Sequence, residues 1–195
     1  RPDIKNASGP YSDERGEIDF VDLIVGSEGI FGLITSVTFC LKVMPDEFLD
    51  LFFTLPTEGD AIRFHQYISD YFKGDLSQIT ALEYFGYNCQ TYMNHREYLF
   101  KSMNEVGIYL QIPLYNESVD EVAEKWLIIL VQSECGINED GILLLNDPRN
   151  WRKFFEARHS IPANALEKTR QFDTSSILTD TIVPPEKFKE LLLSA

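Results

Sequence analysis

Two hydrophobic periods alternate along this chain, and the texture changes near residue 49. Residues 1–18 carry Pro, Gly, Ser, Asn and charges without period and read as loop; Phe20 to Val25 is an apolar, strand-like run. After the glycine-rich stretch 26–32, Leu33, Val37, Phe39, Leu41 and Val43 share one parity, with Ser36, Thr38 and Lys42 on the other. That two-residue period predicts a half-buried strand ending at Pro45-Asp46. Beyond it, strands are expected at Phe52–Leu55, Ile79–Phe85, Gly107–Leu114 and Gly141–Leu145. Thr57, with Asp60 three residues on, starts a helix running to about Phe72, and a short helix is expected over 90–103. Ser118 and Glu121 form a capping box for a helix whose inner side is Val119, Val122, Ala123, Trp126, Ile129 and Leu130. Asp147-Pro148 supplies an N-cap and an N1 proline for a helix reaching at least His159. Ser176 to Val183 is read as a further strand closed by Pro184-Pro185.

The order from residue 50 to 145 is therefore strand, helix, strand, strand, helix, strand. That order predicts an α+β fold with the split βαβ arrangement of a ferredoxin-like sheet, helices on one face.

Composition narrows the function classes. With 195 residues, 44% hydrophobic and 13% aromatic, the chain can bury a substantial core. Thirty-one acidic against 17 basic residues leave a net charge of −14, and no basic run interleaves with aromatics, so nucleic acid is not an expected partner. The three cysteines, Cys40, Cys89 and Cys135, are odd in number and form no CxxC pair, so neither a disulfide framework nor a zinc site is indicated and reduced, mostly buried thiols are expected. His65 and His95 lie on ordinary helical stretches without a third ligand, so no metal is expected. No stretch approaches the roughly 20 apolar residues of a membrane span, and a soluble, cytoplasmic protein is the expectation. The opening Arg1-Pro2 and the closing Leu191-Leu192-Leu193-Ser194-Ala195, which reads as mid-helix, suggest an internal piece of a longer chain.

Two places carry candidate chemistry. Gly26, Gly29 and Gly32 sit three apart in Gly26-Ser27-Glu28-Gly29-Ile30-Phe31-Gly32, where the backbone can approach a ligand and expose N–H groups to an anion or a flavin edge. A tight turn in a sheet explains the same glycines equally well. The loop lacks the Gly-Lys-Ser/Thr ending of a Walker motif, and a predicted strand rather than a helix follows it, which excludes a Rossmann loop. Arg158, seven residues after Trp151 and four after Phe154, shares their apolar helix face, where a guanidinium needs an anion. A substrate carboxylate would fit its fork, as would a carboxylate of the protein itself, or the side chain snorkels to water.

Asp22-Leu23-Ile24-Val25-Gly26-Ser27-Glu28-Gly29-Ile30-Phe31-Gly32-Leu33-Ile34-Thr35 closely resembles the DLFIGSEGTLGIIT signature of FAD-linked oxidases and dehydrogenases of the vanillyl-alcohol-oxidase type, with a PCMH-type FAD-binding domain. Lys5-Asn6-Ala7-Ser8-Gly9 is similar to the segment preceding that signature, although Pro10 replaces a more usual aromatic or hydrophobic residue. Ala81-Leu82-Glu83-Tyr84-Phe85 resembles the family's cap strand, with Glu83 read as structural. Trp151 to His159 is similar to the LWxARH segment of lactate- and glycolate-type members, and Thr179-Asp180-Thr181-Ile182-Val183-Pro184 to their TDVxVP strand.

The resemblance implies that residues 1–46 end the FAD-binding domain and 47–195 form a C-terminally incomplete substrate cap. It places FAD along the backbone of Gly26, Ser27, Glu28 and Gly29 and around Leu33 and Ile34, whose side chains could equally be core. It gives Arg158 the substrate carboxylate, while His159, next along the helix, points elsewhere. The implied activity is oxidation of a small-molecule 2-hydroxy acid of the D-lactate, glycolate or 2-hydroxyglutarate type by hydride transfer to FAD. The identity of the hydroxy acid, the catalytic base, the electron acceptor and the oligomeric state, a homodimer included, stay open. The family's pyrophosphate-binding half would precede Arg1 and its HxGDGNxH segment would follow Ala195, so the chain alone is expected neither to hold FAD stoichiometrically nor to turn over substrate. Two other readings are a non-enzymatic ferredoxin-like interaction module and a flavin oxidase acting on an aryl alcohol or alkylated phenol.

Overall fold

In the computed structural model, which describes residues 15–175, 183–184 and 187–194, the chain forms two units. One holds residues 15–43 with the described residues after 182; the other holds 44–175. The predicted strand over 176–183 and the segment 5–10 lie outside the described residues, Val183 excepted.

The larger unit is mixed helix and strand around a four-stranded antiparallel sheet. Its elements are β1 (Glu47–Leu55), α2 (Glu58–Tyr71), β2 (Ala81–Phe85), β3 (Val106–Leu114), α3 (Val119–Gln132), β4 (Leu143–Leu144) and α4 (Pro148–Gln171), with α1 (Phe20–Ile24) and α5 (Phe188–Ser194) in the other unit. The strands lie in the order β2-β3-β1-β4. β1 pairs with β3 along nine residues from Glu47↔Leu114 to Leu55↔Val106, and β2 pairs with β3 from Ala81↔Gln111 to Phe85↔Gly107.

Strand parity sorts the side chains onto two faces. Leu49, Leu51, Phe53 and Leu55 of β1 join Val106, Ile108, Leu110, Ile112 and Leu114 of β3 under α2 and α3, which contribute Phe64, Ile68, Val122, Trp126 and Leu130. The capping predictions hold at both helices: Thr57 Oγ1 accepts from the Asp60 amide, and Ser118 and Glu121 satisfy each other's backbone in a full capping box.

The opposite face is covered as well, which corrects the expectation of helices on one face only. Phe52, Phe85 and Tyr109 pack there against Phe154 and Ala157 of α4 and against Met93, Leu99 and Phe100. Both Phe52 and Phe53 are therefore fully buried, so the alternation that marks a one-sided strand is lost within β1, and the strand begins five residues before the predicted Phe52. The close fit is visible at Gly107, where an added Cβ would stand 2.7 Å from Phe52 Cζ. The helix expected over 90–103 is instead a pair of 3₁₀ turns, Tyr87–Tyr92 and Arg96–Tyr98, separated by His95 at φ 55°. Gln90, 1% exposed, ties this segment together by donating to the carbonyls of Ser102 and Glu105. The strand expected over 141–145 contracts to Leu143–Leu144 after a 3₁₀ turn at Glu139–Gly141.

In the smaller unit, Phe20–Ile24 is a single helical turn rather than a strand, because Asp19 caps it by accepting from the Val21 amide at 2.8 Å. Residues 33–43 form no strand: Leu33 is 94% exposed and Leu41 89%. A period of two prepares a face, but a strand exists only where a ladder satisfies its backbone groups.

Candidate functional site

On the α4 face of the sheet a group of polar side chains interrupts the aromatic cover. Asp50 of β1 stands opposite Gln111 of β3, and Glu83 of β2 opposite Tyr109 of β3. The Tyr109 hydroxyl donates to Asp50 Oδ1 at 2.5 Å, and Gln111 Nε2 donates to the same oxygen at 2.9 Å. The Tyr109 ring stacks on Phe154 with centroids 4.9 Å apart. β1 is held in place beside this group by Asn146, which accepts from the Asp50 amide and donates to the Phe48 carbonyl.

Arg158 reaches this group from α4. Asp147 caps that helix by accepting from the Arg149 and Asn150 amides, and Pro148 opens it, so the start predicted from sequence is observed; the helix runs on to Gln171. Phe154 and Ala157 are buried against the sheet, and Arg158 on their flank extends to β2. Its Nε and Nη2 donate to Glu83 Oε2 and Oε1, both at 2.8 Å, in a bidentate pair. The two side chains remain 40% and 36% exposed, so the pair faces solvent. Among the described residues the Nη1 group donates to no acceptor. Pro162, inside the same helix, has no N–H to offer the Arg158 carbonyl one turn back.

The electrostatics follow from this packing. The hydrogen bond to Glu83, reinforced by the charges of Glu83 and Tyr109, raises the Arg158 guanidinium further above its ordinary value against the opposing effect of burial. Burial, then the hydrogen bond to Asp50 and the charges of Asp50 and Glu83, push the Tyr109 phenol well above its usual range, with Arg158 working the other way. At neutral pH the site therefore presents a fixed cation and a neutral phenol that serves as a donor, not as a base.

The sequence-predicted residues fall in different places. Arg158 points toward the sheet as its spacing requires, and its partner is the protein's own Glu83. His159 is exposed, stacked on Phe155 at 4.0 Å and turned away from the group. In the other unit, Gly26, Glu28, Gly29 and Gly32 have φ of 77°, 51°, 85° and 137°, so the loop is a chain of tight turns. Ser27, Ile30 and Gly32 amides close those turns onto the carbonyls of Ile24, Ser27 and Gly29. Among the described residues the amides of Glu28, Gly29 and Phe31 donate to no acceptor, and an added Cβ on Gly29 or Gly32 would meet nothing within 4 Å. The glycines are thus required by backbone conformation and not by close packing. Leu33 and Ile34 are 94% and 64% exposed in this chain.

Asp50, Tyr109 and Gln111 were not singled out by sequence reasoning. The signal available was parity: each is a polar group among apolar residues of a strand that is buried on both faces. Of the thiols, Cys135 is buried and Cys89 half-buried, while Cys40 is exposed and departs from the expectation. Among the described residues no three His, Cys, Asp or Glu side chains converge as a metal site, and no helix is long and apolar enough to cross a membrane. No family model and no curated protein matches this chain.

Proposed function

We propose that this chain is part of an FAD-dependent enzyme that oxidises a 2-hydroxy acid, with the smaller unit contributing to the flavin site and the larger unit serving as a ferredoxin-like substrate cap. The observation that carries this reading is Arg158: an always-charged guanidinium whose Nη1 edge is unengaged among the described residues, projecting from the helix whose sequence resembles the family's carboxylate-binding segment. The chain order β1-α2-β2-β3-α3-β4 with strands in the order β2-β3-β1-β4 supports a ferredoxin-like cap.

The glycine loop fits a flavin in its chemistry. Among the described residues its left-handed turns leave the amides of Glu28, Gly29 and Phe31 without acceptors, and the apolar side chains of Leu33 and Ile34 are exposed beside them. When bound there, FAD would supply the hydride acceptor. Gly26, Ser27, Glu28 and Gly29 would hold it through backbone, and Leu33 and Ile34 would cover it. Arg158 would orient the substrate carboxylate, and Tyr109, held neutral, would keep Asp50 engaged at the sheet.

The test is the visible spectrum of the complete gene product, recorded before and after anaerobic addition of D- and L-2-hydroxy acids. Flavin bands that bleach with one acid are the expected result, and Arg158→Ala should raise the concentration of acid needed by about tenfold or more, as loss of a charge-assisted hydrogen bond does. A complete protein without flavin overturns the reading.

A second reading has one observation in its favour. Because the Arg158 fork is already satisfied by Glu83, the larger unit could be an interaction module in which the pair is structural. A flavin-free complete protein would support it.

A further inference from the structure

The bidentate pair between Arg158 and Glu83 poses a problem for any carboxylate ligand, because the Nε–Nη2 side of the guanidinium is already filled and, among the described residues, only its Nη1 edge is left. Nε and Nη2 each donate to one oxygen of Glu83 at 2.8 Å, the geometry an incoming carboxylate would itself adopt. The local charge sharpens the conflict. Glu83 on β2 is faced by Arg158 from α4 and by Tyr109 from β3, and Asp50 from β1 lies behind Tyr109 on the same face. The cation is thus already paired with Glu83 before any ligand arrives.

The pair is also placed to open. Both side chains are more than one third exposed, so a displaced Glu83 passes into water and not into an apolar core. Neither side chain is pinned from elsewhere: among the described residues Glu83 accepts only from Arg158, and Arg158 donates only to Glu83. By contrast Asp50 is held by both Tyr109 and Gln111.

We propose that Glu83 is a specificity-determining residue, a resident carboxylate that occupies the Arg158 fork until a ligand carboxylate of the same planar geometry displaces it. The inference rests on the reading of Arg158 as a substrate-binding residue. A spherical anion gains one edge of the guanidinium and leaves Glu83 in place, whereas a carboxylate replaces both of its hydrogen bonds. Glu83 therefore weakens binding of every anion, and only a carboxylate that displaces it recovers both hydrogen bonds.

The experiment is an NMR titration of the ¹⁵N-labelled chain with sodium glycolate, and with sodium chloride at matched ionic strength, following the backbone amides of residues 154–161. The wild-type chain should respond to glycolate and scarcely to chloride. Glu83→Gln, which keeps the shape and removes the charge, should bind glycolate about fivefold more tightly, the scale of a half-exposed ion pair. Glu83→Asp, one methylene shorter, should fall between the two and carries the test if Glu83→Gln does not fold. Arg158→Ala should abolish the response. Glycolate binding that needs Arg158 but is no tighter in either Glu83 variant overturns the inference and leaves the Arg158 reading standing. A chloride response in the wild-type chain equal to that of glycolate also overturns the inference. Absence of a glycolate response in every variant, or one indifferent to Arg158→Ala, overturns both.

Discussion

At the scale of single residues, close packing and burial make specific demands. Gly107 lies under the Phe52 ring, where an added Cβ would be 2.7 and 2.9 Å from ring carbons and 3.0 Å from Phe100. Both rings are fully enclosed in the α4-side core and have little room to yield. Gly107→Ala should therefore lower stability by about 1–3 kcal/mol, the usual cost of overpacking, read as a shift in the urea midpoint. The cysteines allow a second check. Burial pushes the Cys89 thiol up to about 11, whereas Cys40 is exposed. Since the thiolate is the reactive form, Cys40 should be labelled first at pH 8 and Cys89 should become reactive only as pH climbs toward that value. The sign for stability is the same: a raised pKa favours the protonated folded state, so this contribution is intact at neutral pH and lost as pH rises through about 11. Peptide mapping after timed alkylation measures the order; Cys89 reacting as fast as Cys40 at pH 8 would contradict it.

At the scale of elements, local chemistry and tertiary packing contribute separately. The helix starts at Thr57, Ser118 and Asp147 are legible in sequence because capping needs only residues within one turn, and each cap hydrogen bond is present. Ser118→Ala breaks the capping box of α3 and should cost about 1 kcal/mol, with Ser118→Gly costing only a few tenths. Equal losses for the two variants in thermal unfolding would mean that the cap contributes through something other than its hydroxyl. The errors fell where no such local signal exists. Phe20 to Val25 is a short apolar run that suits a helical turn or a strand equally, and Asp19 decided it. The segment 87–98 buries Met93 without a helical period, because its anchor is Gln90 bonding across to Ser102 and Glu105.

At the scale of the molecule, the two units differ in how much they bury. Among the described residues, both apolar cores draw only on positions between Leu49 and Ile161, inside the larger unit. A fragment of residues 44–177 should thus unfold cooperatively, with a denaturant midpoint close to that of the whole chain. In the smaller unit Phe20, Ile30, Leu33, Phe39 and Leu41 are each at least 75% exposed, an apolar surface unusual for a folded domain. The whole chain should therefore enhance the fluorescence of an apolar-surface dye such as ANS, and the 44–177 fragment should do so much less. A fragment that binds the dye as strongly as the whole chain, or melts without cooperativity, would refute this division of the core.

The sequence by itself determined the order of strands and helices across the larger unit, the helix caps, the left-handed glycine turns and the helix face on which Arg158 lies. These depend on residues within a few positions of each other, where side-chain spacing and backbone preference act directly. Only the tertiary structure decided that α4 covers the second face of the sheet, that residues 33–43 remain outside any ladder, and that Arg158 meets Glu83 while Asp50, Tyr109 and Gln111 join hands beside them. Those outcomes depend on strand register and on side chains far apart in sequence, 75 positions for Arg158 and Glu83 alone, and no local pattern encodes which distant carboxylate a guanidinium will reach.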